Sequence, residues 1–250
     1  MKRRVLVTAG AGGIGRAIAG AFVQAGDEVF VGDVSETALQ AALADGLQGC
    51  LCDVGDRGQV AGMVATAVAA MGGIDVLVNN AGVSGPTAPL HEMAPDEWDA
   101  VLRVNLTGTF LVTRLCVPYL IASGSGVIIN MSSAAGRFGY PNRSPYAATK
   151  WGLIGLTKTL AMELGAHNVR VNAILPGYVD GERLQRVYEG RSKASGMSLE
   201  EVQLAGMAKQ SIKRLVDPKE IAALAVFLAS DEAKSISGQA LPVDGDLQSN

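Results

Sequence analysis

The stretch Val5-Leu6-Val7-Thr8-Ala9-Gly10-Ala11-Gly12-Gly13-Ile14-Gly15 decides the fold. Its first three residues make a short buried strand, the glycines break that strand, and Arg16 to Gln24 resumes with helical periodicity. Strand, glycine turn and helix open a βαβ unit. The glycines permit a tight turn and let the backbone approach a pyrophosphate, whose charge is met by the helix N-terminus. A glycine turn alone has many uses, so the next strand matters. Glu28-Val29-Phe30-Val31-Gly32 ends at Asp33, eighteen residues after Gly15, where a carboxylate accepts hydrogen bonds from the ribose hydroxyls of a dinucleotide. A 2′-phosphate would meet like charge there, and Val34 and Ser35 add no cation. The pattern points to NAD rather than NADP.

Working outward, apolar strand segments alternate with helical windows along the whole chain. This pattern belongs to a parallel sheet covered on both faces. Strands are expected near 4–8, 28–32, 48–52, 75–79, 126–131, 168–174 and 239–243, and long helices near 13–25, 56–71, 95–121 with a break, 145–165 and 217–229. Asp217-Pro218-Lys219-Glu220 supplies an N-cap, a first-turn proline and an acid at the third helical position. No linker or repeat interrupts the 250 residues, so the reading is one α/β domain, Rossmann-like and doubly wound, with about seven parallel strands. With 48% hydrophobic and 18% charged residues the composition is that of a soluble globular protein, and a formal charge of −3 gives no basic field for nucleic acid.

A second pattern lies in the middle of the chain. Tyr146 and Lys150 in Tyr146-Ala147-Ala148-Thr149-Lys150 stand one helical turn apart, with Ser144 and Pro145 read as the N-cap and first position of their helix. A nearby ammonium favours the phenolate and lowers a phenol that ordinarily titrates near pH 10, which makes tyrosine a usable general acid or base. A lone pair of this kind is usually no more than an amphipathic helix. Here Ser133 lies thirteen positions upstream and Asn105 earlier still.

With these motifs together, the chain resembles the short-chain dehydrogenase/reductase family over nearly its whole length. Thr8, Gly13 and Gly15 meet the family's glycine motif, with Ala9 in place of its usual first glycine and Gly10 beside it. Asn79-Asn80-Ala81-Gly82 matches the turn that props the sheet and borders the cofactor. The resemblance implies cofactor contacts from Thr8, Gly10, Gly13, Ile14, Gly15, Asp33, Asp53, Val54, Asn80, Ala81, Gly82, Tyr146, Lys150, Pro176, Gly177 and Val179. It implies that Asn105 holds a relay water, Ser133 binds the substrate oxygen, Tyr146 transfers the proton, and Lys150 binds the nicotinamide ribose and lowers the tyrosine pKa. The threonine or serine often found after the Pro-Gly turn is Gly181 here, which removes one carboxamide contact and leaves Val179 to serve through its backbone. The expected activity is NAD-dependent interconversion of a secondary alcohol and its ketone without a metal, since His91 and His167 are isolated. Similar enzymes form homotetramers through helices near 106–121 and 145–165 and the last strand, and Gly152 and Gly155 suit such packing.

Specificity is expected in residues 177–214, a lid beyond the sixth strand that is crowded with charge: Asp180, Glu182, Arg183, Arg186, Glu189, Arg191 and Lys193. Arg183 and Arg186 share a helical face, and Arg137 and Arg143 lie between Ser133 and Tyr146. Arg143 and Arg183 are candidates to grip an anionic group, which favours a small polar substrate such as a hydroxy acid. Two alternatives stand beside this one: a non-catalytic NAD(H)-binding redox sensor, and an NADPH-dependent 3-oxoacyl reductase, which Asp33 argues against. The glycines close after Lys2-Arg3-Arg4 exclude a signal peptide, and no membrane span is expected. Cys50, Cys52 and Cys116, odd in number and without zinc spacing, read as reduced buried thiols of a cytoplasmic protein.

Overall fold

The computed structural model describes residues 2–248. Seven strands, β1 (Arg4–Thr8), β2 (Glu28–Asp33), β3 (Gln48–Leu51), β4 (Val76–Asn79), β5 (Val127–Met131), β6 (Arg170–Pro176) and β7 (Ala240–Val243), form one sheet in the order β3-β2-β1-β4-β5-β6-β7. Every pairing is parallel. Strand side chains alternate between two buried layers. Val5 and Val7 face α1 (Gly13–Gln24), α2 (Glu36–Ala44) and, nearer the centre of the sheet, α9 (Pro218–Ala229), through Ile18, Phe22, Leu39, Ile221 and Leu228. Leu6 points the other way, into a layer shared with α3 (Arg57–Met71) and α5 (Thr109–Ala122) through Met63, Val112, Cys116 and Leu120.

The strand order fixes where a ligand binds. The chain runs from β1 outward to β3, then returns to place β4 on the other side of β1, so the carboxyl ends of β1 and β4 flank a crevice. Side chains hold that crevice to a set width. The Thr8 hydroxyl accepts from the amides of Asn80 and Ala81, both at 3.0 Å, while Asn80 Nδ2 donates to the carbonyls of Thr8 and Ala9 at 3.1 and 3.0 Å.

Three elements differ from the sequence expectation. Residues 36–44 form α2, whose nine residues start at an N-cap Ser35 accepting from Ala38; so short a helix carries little periodicity. The break expected in 95–121 is a π-turn, Arg103–Gly108, between α4 (Pro95–Leu102) and α5. The lid is two helices, α7 (Glu182–Ser195) and α8 (Leu199–Ala208), closed over a small core of Tyr178, Leu184, Tyr188 and Val202 that Ala134 and Leu247 complete. The capping box at Asp217 and Glu220 forms as read. The helical stretch from Pro95 to Ala122 is long and apolar enough to cross a membrane, with mean hydropathy 1.3, yet it packs within the domain against α3, β4 and the helix that carries Tyr146.

Candidate active site

The candidate side chains reach the crevice from three parts of the fold. Ser133 lies two residues past β5, Tyr146 and Lys150 lie on α6 (Ser144–Leu164), and Asn105 sits in the π-turn, fully buried. The helix does not start as the sequence implied. Arg143, in an irregular conformation (φ −138°, ψ 37°), is the capping residue, no side chain caps the helix, and Ser144 lies already within the first turn with its hydroxyl buried and unpartnered. Pro145 still occupies the first turn, where its missing N–H costs nothing.

Reciprocal bonds anchor α6 to the sheet. Lys150 Nζ donates to the Met131 carbonyl at 2.7 Å, and Ser132 Oγ donates to the Lys150 carbonyl at 2.8 Å. Asn105 works from the other side: its Oδ1 accepts from the Val83 amide at 2.7 Å, and its Nδ2 donates to the Val83 carbonyl at 3.0 Å and the Thr149 hydroxyl at 3.1 Å. The Asn105 side chain thereby locks the loop after β4 to α6. Ser133 Oγ accepts from the Ala135 amide at 3.2 Å, and the serine side chain lies beside the Tyr146 phenol.

The electrostatics follow from this packing. Burial pushes the Tyr146 phenol up, but Arg183, Lys150, the Ser133 hydroxyl and Arg143 more than reverse it, so its pKa lies below the ordinary value. Burial pushes Lys150 down to about 8, opposed by Tyr146 and reinforced by Arg183. Around the Tyr146 ring centroid stand three cations, Arg143 at 5.3 Å, Lys150 at 5.6 Å and Arg183 at 5.8 Å.

The glycine turn is shaped to take a dinucleotide. Gly12 precedes α1 with no side-chain cap, so the first-turn amides of Gly13, Ile14 and Gly15 face a space with no intrahelical partner. Added Cβ atoms at Gly12 and Gly13 would meet nothing within 4 Å, and Gly13 has φ +50°. Gly15 instead lies so close to the Ala9 carbonyl and the Asn80 side chain that a Cβ would collide with both. Ala9, in the place of the expected glycine, has φ +49°. Asp33 is almost fully buried; one carboxylate oxygen accepts from the Ala11 amide and the other from the Ser35 amide, each at 3.0 Å, so it ties the end of β2 to the glycine turn and keeps lone pairs for two hydroxyls.

Other residues expected at the cofactor are also tied into the protein. The Thr8 hydroxyl is spent on Asn80 and Ala81 and sets the crevice width. Asp53 is paired to Arg103 at 2.8 Å and takes the Gly55 amide, with Val54 beside it against Gly108. Gly82 lies against Asn105 and Lys150, where an added Cβ would come within 3.2 and 3.4 Å of them. Past Pro176, Gly177 packs on Asp244, and the bridge between Val179 and Val216 uses the Tyr178 carbonyl and the Asp180 amide. The amide and carbonyl of Val179 itself then point to the opposite side. Gly181 has φ +138°, a conformation closed to threonine, which is the physical reason for the departure at that position.

The candidate arginines divide. Arg137 is tied to Asp244 at 3.2 Å and to the Leu247 carbonyl, and Arg186 to Glu182 at 3.6 Å. Arg143 and Arg183 both reach the site. Sequence reading missed what holds them: Ser84, whose carbonyl accepts from Arg143 at 2.8 Å and whose hydroxyl accepts from Arg183 Nε at 3.2 Å. It carried no signal beyond standing two residues after Gly82. It also gave Arg191 no particular place; this residue lies between the rings of Tyr140 and Tyr178 beside a second cavity of about 320 Å³ under the lid.

Comparison with known proteins agrees with this geometry. The family described as "Enoyl-(Acyl carrier protein) reductase" matches residues 9–247. A 3-oxoacyl-[acyl-carrier-protein] reductase of Thermotoga maritima is 41% identical over 248 residues, covering 97% of this chain and 96% of the relative. An actinorhodin polyketide ketoreductase solved with NADPH superposes with a TM-score of 0.93 at 34% identity, over 98% of this chain and 96% of that one. An NAD+-bound xylitol dehydrogenase gives a TM-score of 0.92 at 33% identity, over 96% and 97%.

Proposed function

The chain belongs to the short-chain dehydrogenase/reductase family and is an oxidoreductase acting on CH–OH groups and the corresponding ketones; from that premise we propose that it uses NAD to interconvert a small, polar secondary alcohol and its ketone. The observation that carries the reading is Tyr146 at the mouth of the crevice, with the Lys150 ammonium 5.6 Å from its ring centroid and the Ser133 side chain beside it. A bound nicotinamide ring supplies the hydride acceptor or donor. The protein's own work is on the proton and the oxygen. In oxidation the Tyr146 phenolate takes the hydroxyl proton, while the Ser133 hydroxyl donates to the substrate oxygen and holds it against the phenol. Lys150, fixed on the Met131 carbonyl, keeps positive charge beside the phenolate and offers its ammonium to the nicotinamide ribose. Overall, alcohol and NAD+ yield ketone, NADH and one proton, and reduction runs the same steps backwards.

Asp33 supports NAD: its carboxylate stands at the ribose end, and the neighbouring Val34 is exposed and uncharged. The amides of Gly13, Ile14 and Gly15 would receive the pyrophosphate, and Val179 the carboxamide. The exposed apolar residues Phe110, Trp151 and Met162 on α5 and α6, the open space at Gly155 and the free edge of β7 support a homotetramer; Gly152 instead packs on Leu106 of its own chain. The half-buried or buried free thiols of Cys50, Cys52 and Cys116 support a cytoplasmic setting. The Thermotoga relative favours a second reading, an NADPH-dependent reductase of 3-oxoacyl thioesters.

One assay separates them. NADH or NADPH formation at 340 nm is followed with NAD or NADP and a panel of hydroxy acids, polyols, cyclic alcohols and 3-hydroxyacyl thioesters, with Tyr146→Phe as control. Activity with NAD that vanishes in the variant supports the proposal. Preference for NADP and for acyl thioesters selects the second reading, and NAD binding without turnover of any kind selects a sensor.

A further inference from the structure

We propose that Arg143 and Arg183 form a carboxylate subsite beside Tyr146, so that the substrate is a small hydroxy acid, or the matching oxo acid, with its carboxylate one or two carbons from the reacting centre. The inference rests on the dehydrogenase reading above and narrows it.

Charge balance carries the argument. Three cations stand within 6 Å of the Tyr146 ring centroid, and among the described residues no Asp or Glu forms an ion pair with Arg143, Arg183 or Lys150. Arg143 is 2% exposed, makes its side-chain hydrogen bond to the Ser84 carbonyl, and keeps its buried Nε without a partner. A buried guanidinium held only by a neutral carbonyl is costly, and a carboxylate ligand relieves that cost. Arg183 reaches in from the first turn of α7 and is likewise held only by neutral acceptors, the Ser84 hydroxyl and the Gly82 carbonyl, each at 3.2 Å. Those bonds are long for a guanidinium, and carboxylate oxygens replace them with shorter, charge-assisted ones. Both arginines converge on one residue, Ser84, so two like charges share a small volume that an anion neutralises.

The placement also sets the distance. Both guanidinium carbons lie within 6 Å of the ring whose hydroxyl meets the reacting oxygen, so the anion they grip stands near the carbinol. Arg191 is excluded from the subsite because it donates to the Tyr178 hydroxyl at 3.2 Å and lies 4.9 Å from the Tyr140 ring centroid.

The test compares acids with their own neutral esters. The enzyme with saturating NAD is assayed on lactate, 3-hydroxybutanoate and the methyl ester of each, as wild type, Arg183→Met and Tyr146→Phe, at a pH above the rate inflection of each variant. Oxamate, an unreactive carboxylate, is titrated by calorimetry into the NADH complex. Arg183 is exposed, so its variant folds and carries the test; Arg143→Gln is read only where circular dichroism shows a native fold.

The expected result is turnover of an acid at least about tenfold better than of its ester, with Arg183→Met raising KM for the acid about 10- to 100-fold more than KM for its ester. Esters used as well as acids, or a KM raised alike for both, overturns the subsite while the dehydrogenase reading survives wherever Tyr146→Phe abolishes turnover. Turnover that persists in Tyr146→Phe sinks the dehydrogenase reading instead. With no turnover on this panel, oxamate binding decides: weakening of about tenfold or more in Arg183→Met supports the subsite, and absence of binding to the wild type overturns it.

Discussion

The cations of the sheet and the cations of the site are the same kind of residue in opposite circumstances. At the lower end of β1, Arg3 grips Asp27 through its amide, its Nε and its Nη2, the last at 2.6 Å, and Arg4 does the same with Asp75. Around Tyr146, Arg143 and Arg183 have only carbonyls and a hydroxyl. Arg3 and Arg4, which build structure, bring their counterions with them. Arginines left without one, at the carboxyl end of a parallel sheet, are held ready for charge that arrives from outside or develops in the reaction.

The contrast is broken most severely by removing the group that the site cations act upon. Tyr146→Phe is expected to lower kcat about 10³-fold while NAD binding, followed by fluorescence titration, stays within about threefold. A kcat within tenfold of wild type would show that the cations serve some other group.

A second comparison exchanges the two kinds of arginine. Asp27→Asn leaves Arg3 without its counterion and is expected to cost about 2–3 kcal/mol in denaturant unfolding, with kcat unchanged. Arg183→Met, an exposed residue with no ion pair, is expected to leave stability within about 0.5 kcal/mol. Equal losses in both variants would erase the distinction.

The pH profile sharpens it further. Oxidation needs the Tyr146 phenolate, so its rate rises with pH through a value below the ordinary phenol range. Removing Arg183 takes away a positive charge that favours the phenolate, so the inflection moves to higher pH in Arg183→Met. A fixed inflection would show that Arg183 does not act on Tyr146. The smallest expected effect lies at the glycine turn, far from any cation. Ala9 sits at φ +49°, and Ala9→Gly is expected to stabilise the protein by about 0.5–1 kcal/mol, a rise of a few degrees in Tm by calorimetry.

How much of this was legible in the sequence depended on the range of the interaction concerned. The strands, the glycine turn and the Asp217 cap are local patterns and stand close to where the sequence placed them. Tyr146 and Lys150 were legible because one helical turn separates them. Ser144 misled because a serine before a proline is a good N-cap signal, and only the extended loop ahead of it, with Arg143 packed under Tyr146, moves the start of the helix back by a residue. The sequence singled out Arg143 and Arg183 as candidates from a group of arginines that also held Arg137 and Arg186. What separates them is whether a carboxylate stands within reach, and for Arg137 that carboxylate is Asp244, 107 residues away. Ser84, with no motif of its own, acquires its place only when the loop after β4, the start of α6 and the lid meet.

The side-chain stitch between Thr8 and Asn80 has a bearing on how such an enzyme diversifies. It clamps the ends of β1 and β4 at the mouth of the crevice, so the span from the glycine turn to Lys150 is a fixed gauge written in the sheet. The lid shares none of those bonds. Its two helices close over a small core shared with Ala134 and Leu247, and they follow Gly181, whose φ of +138° favours glycine. New substrates are therefore reached by redrawing the lid and the two loops it meets, with the ruler that spaces cofactor from proton donor left untouched.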